Sequence, residues 1–553
     1  MATEFICTIN KTGADYDWVD DWVAAVQSDF TSAQTRVYAV SSVSGTVADG
    51  ATVTGSINGY TATVRHVNVS GTSPRQVLVY HDTASETFAN NEVLSDGGDP
   101  ENTITLTSTA GDTDDTTIAV LEFYDDNGHY DDYNCTVTGS TTSATNYIKL
   151  TAPVGERHNF DDTGATLDYT GGLFGRDLLR IEDAHVTIEW LNFTNTGNAT
   201  SALFCTSDYL TIQYNYIHDI ASTAIECGAS WTYVGVYRVH HNLIHNCSSG
   251  MWIGGWEHRG HLIYNNIIYD CTGNGIYLNH ADPNYNYGYC ANNTVYSCDN
   301  VGITDYYNAY HVINNISYDN ATFDFDYTVN VVNPANNGET GYNFSKDDTA
   351  DDVGIGNING DTDGKVPDFV SGTLPPGIDL HLDVDSDAIG AGTDLSSLFT
   401  VDFDGATRYT WDIGADEHVY RIYTSGNYAS LPTDDADLET SYSYSDEDDV
   451  TTDNGVRVAQ TADGEYAIHQ FKNEVGTASS ITFNCNLQSD LSTVTQPMVL
   501  QIYNYNSTTW ETLDTENTVG ANTDFTLTGN IPDMTNYVSS GWCTCRVYQL
   551  GVA

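Results

Sequence analysis

The feature that most constrains this chain is a recurrent asparagine. Six segments share one pattern: Asn192-Phe-Thr-Asn, Asn215-Tyr-Ile-His, Asn242-Leu-Ile-His, Asn266-Ile-Ile-Tyr, Asn293-Thr-Val-Tyr and Asn315-Ile-Ser-Tyr. Their leading residues lie 23, 27, 24, 27 and 22 apart, an irregular period suited to one turn of a wound chain. In such a chain each coil is a set of short strands. Successive coils pair in parallel about 4.8 Å apart, so like side chains lie above one another. An asparagine at a corner can bond its own backbone and the amide of the asparagine in the next coil, giving a ladder. The offsets support this register. Ile220, Cys247, Cys271 and Cys298 each fall five after a leading asparagine and read as buried apolar filler; stacked disulfides are the alternative and need suitable geometry. Ile225, Trp252, Ile276, Ile303 and Phe325 fall ten after and predict a second inward file.

The flanks read differently. Residues 1–43 carry apolar residues at helical spacing over 17–26, predicting a short amphipathic helix that caps the first coil. Residues 44–114 turn to short Thr/Val-rich strands punctuated by glycine, a small β-barrel or sandwich inserted near the N-terminus. Its flanks, Arg36–Val40 and Ile118–Phe123, are then expected to be neighbouring strands of one coil. Residues 115–418 form the wound region. Over 419–553 the coil pattern stops and alternating strands predict a jelly-roll-like antiparallel sandwich, with 445–449 a solvated acidic loop. The fold class is thus all-β: a right-handed parallel β-helix with a small inserted N-terminal β domain and a C-terminal sandwich.

Charge narrows function. Seventy-six acidic residues face 17 basic ones, a formal net charge of −59. Such a surface repels itself in dilute buffer, and molar salt, with a Debye length of roughly 3 Å, screens it. The pattern resembles that of halophilic proteins. Calcium chelation is the competing explanation, but the acids are spread along the chain rather than gathered in a repeated ligand motif. Nucleic-acid binding through a basic patch is excluded on these grounds. The N-terminus shows no charged start followed by an apolar run, so no secretory leader is expected, and no stretch approaches the ~20 apolar residues of a membrane span. The 11 cysteines are odd in number and lack a Cys-x-x-Cys zinc spacing; Cys543 and Cys545 share one face of a strand and read as buried packing.

The segments Gly356–Asp363, Asp379–Leu382, Ser386–Thr393 and Asp402-Phe-Asp-Gly405 through Arg408 to Asp412–Glu417 together resemble the closing coils of right-handed β-helix proteins of the pectate-lyase-like and tailspike-like class. That resemblance covers roughly 240 residues and implies fold, not reaction. Asn359-x-Asp361-x-Asp363-Gly364 also suggests a calcium loop, yet its twelfth position is Val370 where an acid is expected. No cofactor or metal site is otherwise expected.

β-helix proteins of this class that cleave polysaccharides use a groove along one face, with carboxylates or bases from adjacent coils and aromatic platforms. The densest candidate stretch supplies Glu226, Glu257, His258, Asp282 and Asp305 as catalytic candidates, and Trp252, Trp256, Arg259, His280, Tyr306 and Tyr307 as substrate-binding candidates. A carboxyl pair about 5–5.5 Å apart suits a retaining glycosidase and about 6.5–9.5 Å an inverting one; a lyase needs a base beside a group neutralising the sugar carboxylate. Among 76 acids some fall together by chance, and Trp252 in a stacked file also reads as core. A non-catalytic glycan surface is therefore the leading expectation. It implies a virion surface protein, a tailspike, fibre or head-decoration turret of a virus of a halophilic host. Such a protein is assembled in the host cytoplasm, which reconciles a glycan reader with the absence of a leader. Expected partners are host surface glycans, other virion proteins and copies of itself, a trimer if a spike and a pentamer if a vertex turret. A free polysaccharide lyase or glycoside hydrolase is the alternative. If the charge reflects a halophilic origin, melting followed from roughly 0.1 to 2 M salt will show stability rising with salt, because screening changes most across that range; a flat response would count against it.

Overall fold

The computed structural model describes all residues except 1–2, 11–13, 69–74, 99–100, 108–116, 127–134, 169–176, 196–199, 229–235, 256–259, 281–287, 308, 328–339, 353, 372–378, 384, 409–410, 419–420, 443–445, 447–449, 451–456, 476–478, 540 and 553. The chain divides into two compact units, residues 1–417 and 418–553. No helix among the described residues is long and apolar enough to cross a membrane.

The first unit is a parallel β-solenoid of about seven turns. Each coil gives one short strand to each of three sheets. One coil runs from Thr223–Cys227 in the third sheet to Tyr237–His240 in the first, Leu243–His245 in the second, and back to Ser249–Gly255 in the third. Strand pairing between coils is parallel throughout, as in Leu210–Gln213 against Tyr237–His240 and Tyr216–His218 against Leu243–His245. Alternation along each strand turns Leu179, Leu203, Ile225, Met251, Ile276, Ile303 and Phe325 inward into one continuous core.

The corner between the first and second sheets is only two residues wide. Its first residue is left-handed in successive coils: Trp190, Tyr214, His241, Asn265, Asn292, Asn314 and Tyr342, with φ between 49° and 60°. The second residue is the ladder asparagine. Asn266 is representative: its Oδ1 accepts the backbone N–H of Asn242 at 3.2 Å and the Nδ2 of Asn242 at 3.0 Å. Its own Nδ2 donates to Val239 O, Tyr264 O and Asn293 Oδ1. The same bonds join Asn215, Asn242, Asn266, Asn293, Asn315 and Asn343, and Asn357 accepts the N–H of Asn343. Asn192 is outside the ladder. It pairs with Tyr216, one place beyond the corner, and its Oδ1 contacts His218 Nε2. The expected file was therefore displaced by one residue at its first member and longer by two at its end.

The thiols stack as expected. Ile220, Cys247, Cys271 and Cys298 are each 1% exposed, and all the cysteines are free. The second inward file holds except at Trp252. Only four residues separate Cys247 from Met251, against five from Cys271 to Ile276, so Met251 takes the inward place opposite Ile225 and Ile276. Trp252 moves to the outer face.

Val19–Val26 is helical, and Val19, Trp22 and Val26 bury into the solenoid core. Asp20 accepts the N–H of Thr136 in Cys135–Val137, the last strand of the third sheet, so the helix covers that sheet end. The flanking strands differ from expectation. Ile118–Phe123 does belong to the solenoid, but its parallel neighbours are Thr3–Ile9 and Ile148–Thr151. Arg36–Val40 lies in Thr35–Ser44, which pairs antiparallel within a closed six-stranded barrel that extends to Leu106. Tyr38, Val64, Val79, Phe88 and Leu94 fill that barrel.

Of the segment read as closing coils, only Ile358–Asn359 still winds, pairing in parallel with Phe344–Ser345. After Ile358–Asn359 the chain makes a two-stranded antiparallel sheet, Phe369–Ser371 with Asp379–Leu382, and residues 386–417 then run back along the asparagine corner. Leu395, Phe399 and Trp411 pack on Ala291 and Ile313. The left-handed corner residues bond this strap directly: Asn265 Nδ2 donates to Val401 O, Asn292 Nδ2 to Asp412 O, and Asn314 Nδ2 to Thr393 O. Arg408, fully buried, donates to Asn265 Oδ1 and to the carbonyls of Gly414 and Ala415, and pairs with Glu417 at 3.3 Å.

The second unit is antiparallel. One six-stranded sheet contains Arg421–Tyr428, Tyr466–Glu474, Met498–Asn504, Thr509–Glu516 and Trp542–Leu550, and Ile481–Gln488 pairs separately with Asp524–Ile531. Cys543 and Cys545 are buried there, and the acidic stretch 445–449 lies outside the described residues except for Asp446.

Removing a ladder side chain orphans a buried N–H at about 1–3 kcal/mol. Asn266→Ala will lower the unfolding free energy by at least about 1 kcal/mol, whereas Asn192→Ala, which leaves no ladder amide unpaired, will cost less. Equal losses in chemical unfolding would contradict the ladder's structural role.

Candidate functional site

The outer face of the third sheet carries a file to which each coil contributes one side chain. Reading along the registers, these are Thr136, Arg180, Phe204, Glu226, Trp252, Tyr277, Thr304 and Asp326. Alternation puts them outward because their neighbours fill the core. The result is an aromatic row: Phe204, Trp252 and Tyr277 are all partly exposed, and they span three coil steps, about 14 Å at ~4.8 Å per step. The Trp252 ring lies along its strand over Gly254, where an added Cβ would come 2.2 Å from it. Tyr306 extends the row, its ring 6.3 Å from that of Tyr277 and edge-on to Tyr307 at 4.8 Å. Tyr307 itself packs against the solenoid core.

Glu226 sits in this row between Phe204 and Trp252. Ser201 Oγ donates to its Oε2 at 3.2 Å. Burial holds its carboxyl above the ordinary glutamate value, and the charge of Asp177 adds to the rise. Two residues that the motif reading missed complete the group. Asp177 accepts from Thr200 Oγ1 at 2.7 Å and is likewise raised by burial. Arg180 lies 3.5 Å from Asp177, donates to Glu182 at 2.8 Å, and places its guanidinium 4.5 Å from the Phe204 ring. The signal for Arg180 was its position in the register, visible only once Leu179 is known to point inward. The arrangement offers flat apolar surface, a hydroxyl, a cation and a carboxyl whose proton affinity is raised by burial.

The structure does not bring Asp305 to this group. It stands three coils from Glu226, about 14 Å on, beyond the separation that a glycosidase pair uses. It is buried, and its oxygens accept the N–H groups of Ala309 and Tyr310 at 3.1 and 2.9 Å. Burial pushes its carboxyl up to about 7. Glu257, His258, Asp282, Trp256 and Arg259 lie outside the described residues. His280 ends the strand Ile276–His280 opposite Gly255.

Two places could be read as cation sites. His381, Asp404 and Asp416 offer ligand atoms within 4.8 Å of one another. However, His381 Nε2 meets Asp404 at 2.8 Å and Nδ1 meets Asp379 at 2.5 Å. Although burial opposes its charge, these two carboxylates hold the imidazole well above its ordinary value. The imidazole and its two carboxylates thus form an ion cluster that ties Asp379–Leu382 to the strap. In the suspected calcium loop, Asn359 Oδ1 accepts from Ser345, and Asp363 accepts the Asn359 N–H over the one-turn helix Gly360–Asp363. Those oxygens serve the backbone and the neighbouring coil.

No protein-family model and no curated protein matches this chain. Among solved structures, the enzymatically active domain of tailspike protein 4 of bacteriophage CBA120 is similar at 8% identity with a TM-score of 0.13, over 93% of this chain and 74% of that one. A score of that size does not establish a shared fold.

The environment of Asp305 sets the sign of a pH effect. Its folded value of about 7 exceeds the ~3.9 of an unfolded aspartate, so the folded state binds the extra proton and the stability from this group falls as pH rises from about 4 to 7. Comparing unfolding free energies across that range, wild type will lose stability relative to Asp305→Asn, and a constant difference would show that the group does not titrate there.

Proposed function

We propose that this chain is a structural surface protein that engages glycans along the outer face of the third solenoid sheet. The observation that carries the reading is the row Phe204, Trp252 and Tyr277, with Glu226 between the first two in register. Aromatic rings at coil spacing give a repeating ligand such as a polysaccharide successive apolar platforms, while Glu226 and Arg180 supply hydrogen-bonding groups for sugar hydroxyls. Because each platform is anchored by an inward neighbour and by strand pairing on both sides, the row is organised before a ligand arrives and little ordering cost falls on binding.

The setting we propose is the surface of a virion of a halophilic host, as tailspike, fibre or head-decoration turret, assembled in the host cytoplasm as a homo-oligomer with other virion proteins. The −59 charge supports the high-salt part of this reading. Detection of the polypeptide in purified particles tests the virion part.

A second reading has one observation in its favour. Glu226 has a raised carboxyl with Asp177 acting on it, which suits a general acid in glycoside cleavage. A single set of variants separates the two. Trp252→Ala and Tyr277→Ala will each weaken binding of host-surface glycan by roughly tenfold, about 1.4 kcal/mol, in titration calorimetry. If no reducing ends or unsaturated products form with wild type, the surface is a binder; if they form and Glu226→Gln abolishes them, it is an enzyme. Unchanged affinity in both aromatic variants would remove this face from consideration.

A further inference from the structure

A groove of about 490 Å³ opens on the outer face of the first sheet, and its lining includes Tyr147, His185, Thr187, Tyr209, Thr211 and Arg238. Thr187, Thr211 and Arg238 stand in register on three successive coils. At the turns entering two of these strands, His185 and Tyr209 both adopt left-handed backbone, φ 50° and 57°. Their rings stack at 4.6 Å with a 2° interplanar angle. The outer ring, Tyr209, is 49% exposed, so the stack ends in an open aromatic face.

Arg238 is the unusual member. It is exposed, and among the described residues its guanidinium makes no ion pair or side-chain hydrogen bond. Several other cations of this acid-rich chain are committed: Lys149, one coil before Thr187, holds Glu189 at 2.7 Å, and Lys346, Lys472 and Arg457 hold aspartates. His185 is lowered from its ordinary value by burial and so contributes a ring rather than a charge at neutral pH. The groove thus combines a free planar guanidinium, a flat apolar platform and two hydroxyls.

We infer that this groove binds an anionic sugar residue, with its acid group on Arg238, its apolar ring face on Tyr209 and its hydroxyls toward Thr187 and Thr211. A guanidinium fork takes a carboxylate or sulfate through two parallel N–H donors, and one such fork answers one acid group per sugar. A nucleic acid, which needs several phosphate contacts, finds only this one free cation among the described groove residues. The site lies on a different sheet from the Phe204–Tyr277 row and stands or falls separately from it.

The test uses the full chain in about 1 M salt, where its own charge is screened, with three tetrasaccharides of one linkage: glucuronate, 6-sulfated glucose and neutral glucose. Calorimetry will show the acidic ligands binding at least about tenfold tighter than the neutral one, and the stronger of the two acidic arms identifies carboxylate or sulfate as the partner. Arg238→Gln will abolish that preference, with an unchanged melting curve. Arg238→Lys, which keeps the charge and loses the fork, will retain part of it. Tyr209→Ala will weaken both acidic ligands. Arg421→Gln, the same change in net charge on the second unit, will leave binding intact. Equal affinity for neutral and acidic ligands, or wild-type preference in Arg238→Gln, overturns the proposal.

Discussion

Backbone hydrogen bonding at a two-residue corner governs the first unit. Turning the chain sharply from one sheet to the next strips strand partners from the peptide groups there, and buried peptide groups left unpaired are costly. The asparagine side chain resolves this because it carries an acceptor and two donors on a short stem. Each Oδ1 takes the N–H of one neighbouring coil while the Nδ2 reaches carbonyls of its own coil and of that neighbour, so every corner is satisfied by the coil beside it. No single coil can do this alone, and the solenoid is cooperative along its axis for that reason.

The left-handed residue before each asparagine has a second consequence. Its side chain points away from the core, and where it is His241, Asn265, Asn292 or Asn314 it binds the returning strap through carbonyls of Asp402, Val401, Asp412 and Thr393. The same corner thereby closes the solenoid inside and fastens a non-repeating segment outside. The buried Arg408 pair and the partly exposed His381 cluster complete the attachment with charge. Burial and the nearby Asp416 and Asp404 push Asp402 up to about 7. Leaving the strap's acids all ionised in this crowded place would be unfavourable, and the two cations, hydrogen bonds and retained protons share that cost.

Outward positions are free to vary because the inward ones are not. On the third sheet they become Phe204, Glu226, Trp252 and Tyr277, and on the first sheet Lys149, Thr187, Thr211 and Arg238. Both surfaces are addressed by the register that packs the core. A one-residue change in a turn is therefore enough to convert a core position into a surface one, which is what happens at Trp252.

Much of this was legible in the chain itself. The asparagines from Asn215 to Asn315, the buried thiols at Cys247, Cys271 and Cys298, the amphipathic helix around Trp22 and the change to antiparallel strands near residue 420 all follow from period and alternation, which are local. Three things were not. The one-residue slips at Asn192 and Trp252 arise from turn lengths that an irregular 22–27 period conceals. The partner of Ile118–Phe123 is Thr3–Ile9, more than a hundred residues away across the inserted barrel, and no local pattern specifies a pairing of that range. The strap looked like further coils because its glycines and aspartates resemble those of closing coils in other β-helix proteins; only its bonds to the corner reveal it as a separate layer. Sequence alone determined that the chain winds and picked out the ladder from Asn215 to Asn315, because those depend on repetition. Tertiary structure decided which residues share a face, since a side chain's direction depends on the count of residues in every turn before it.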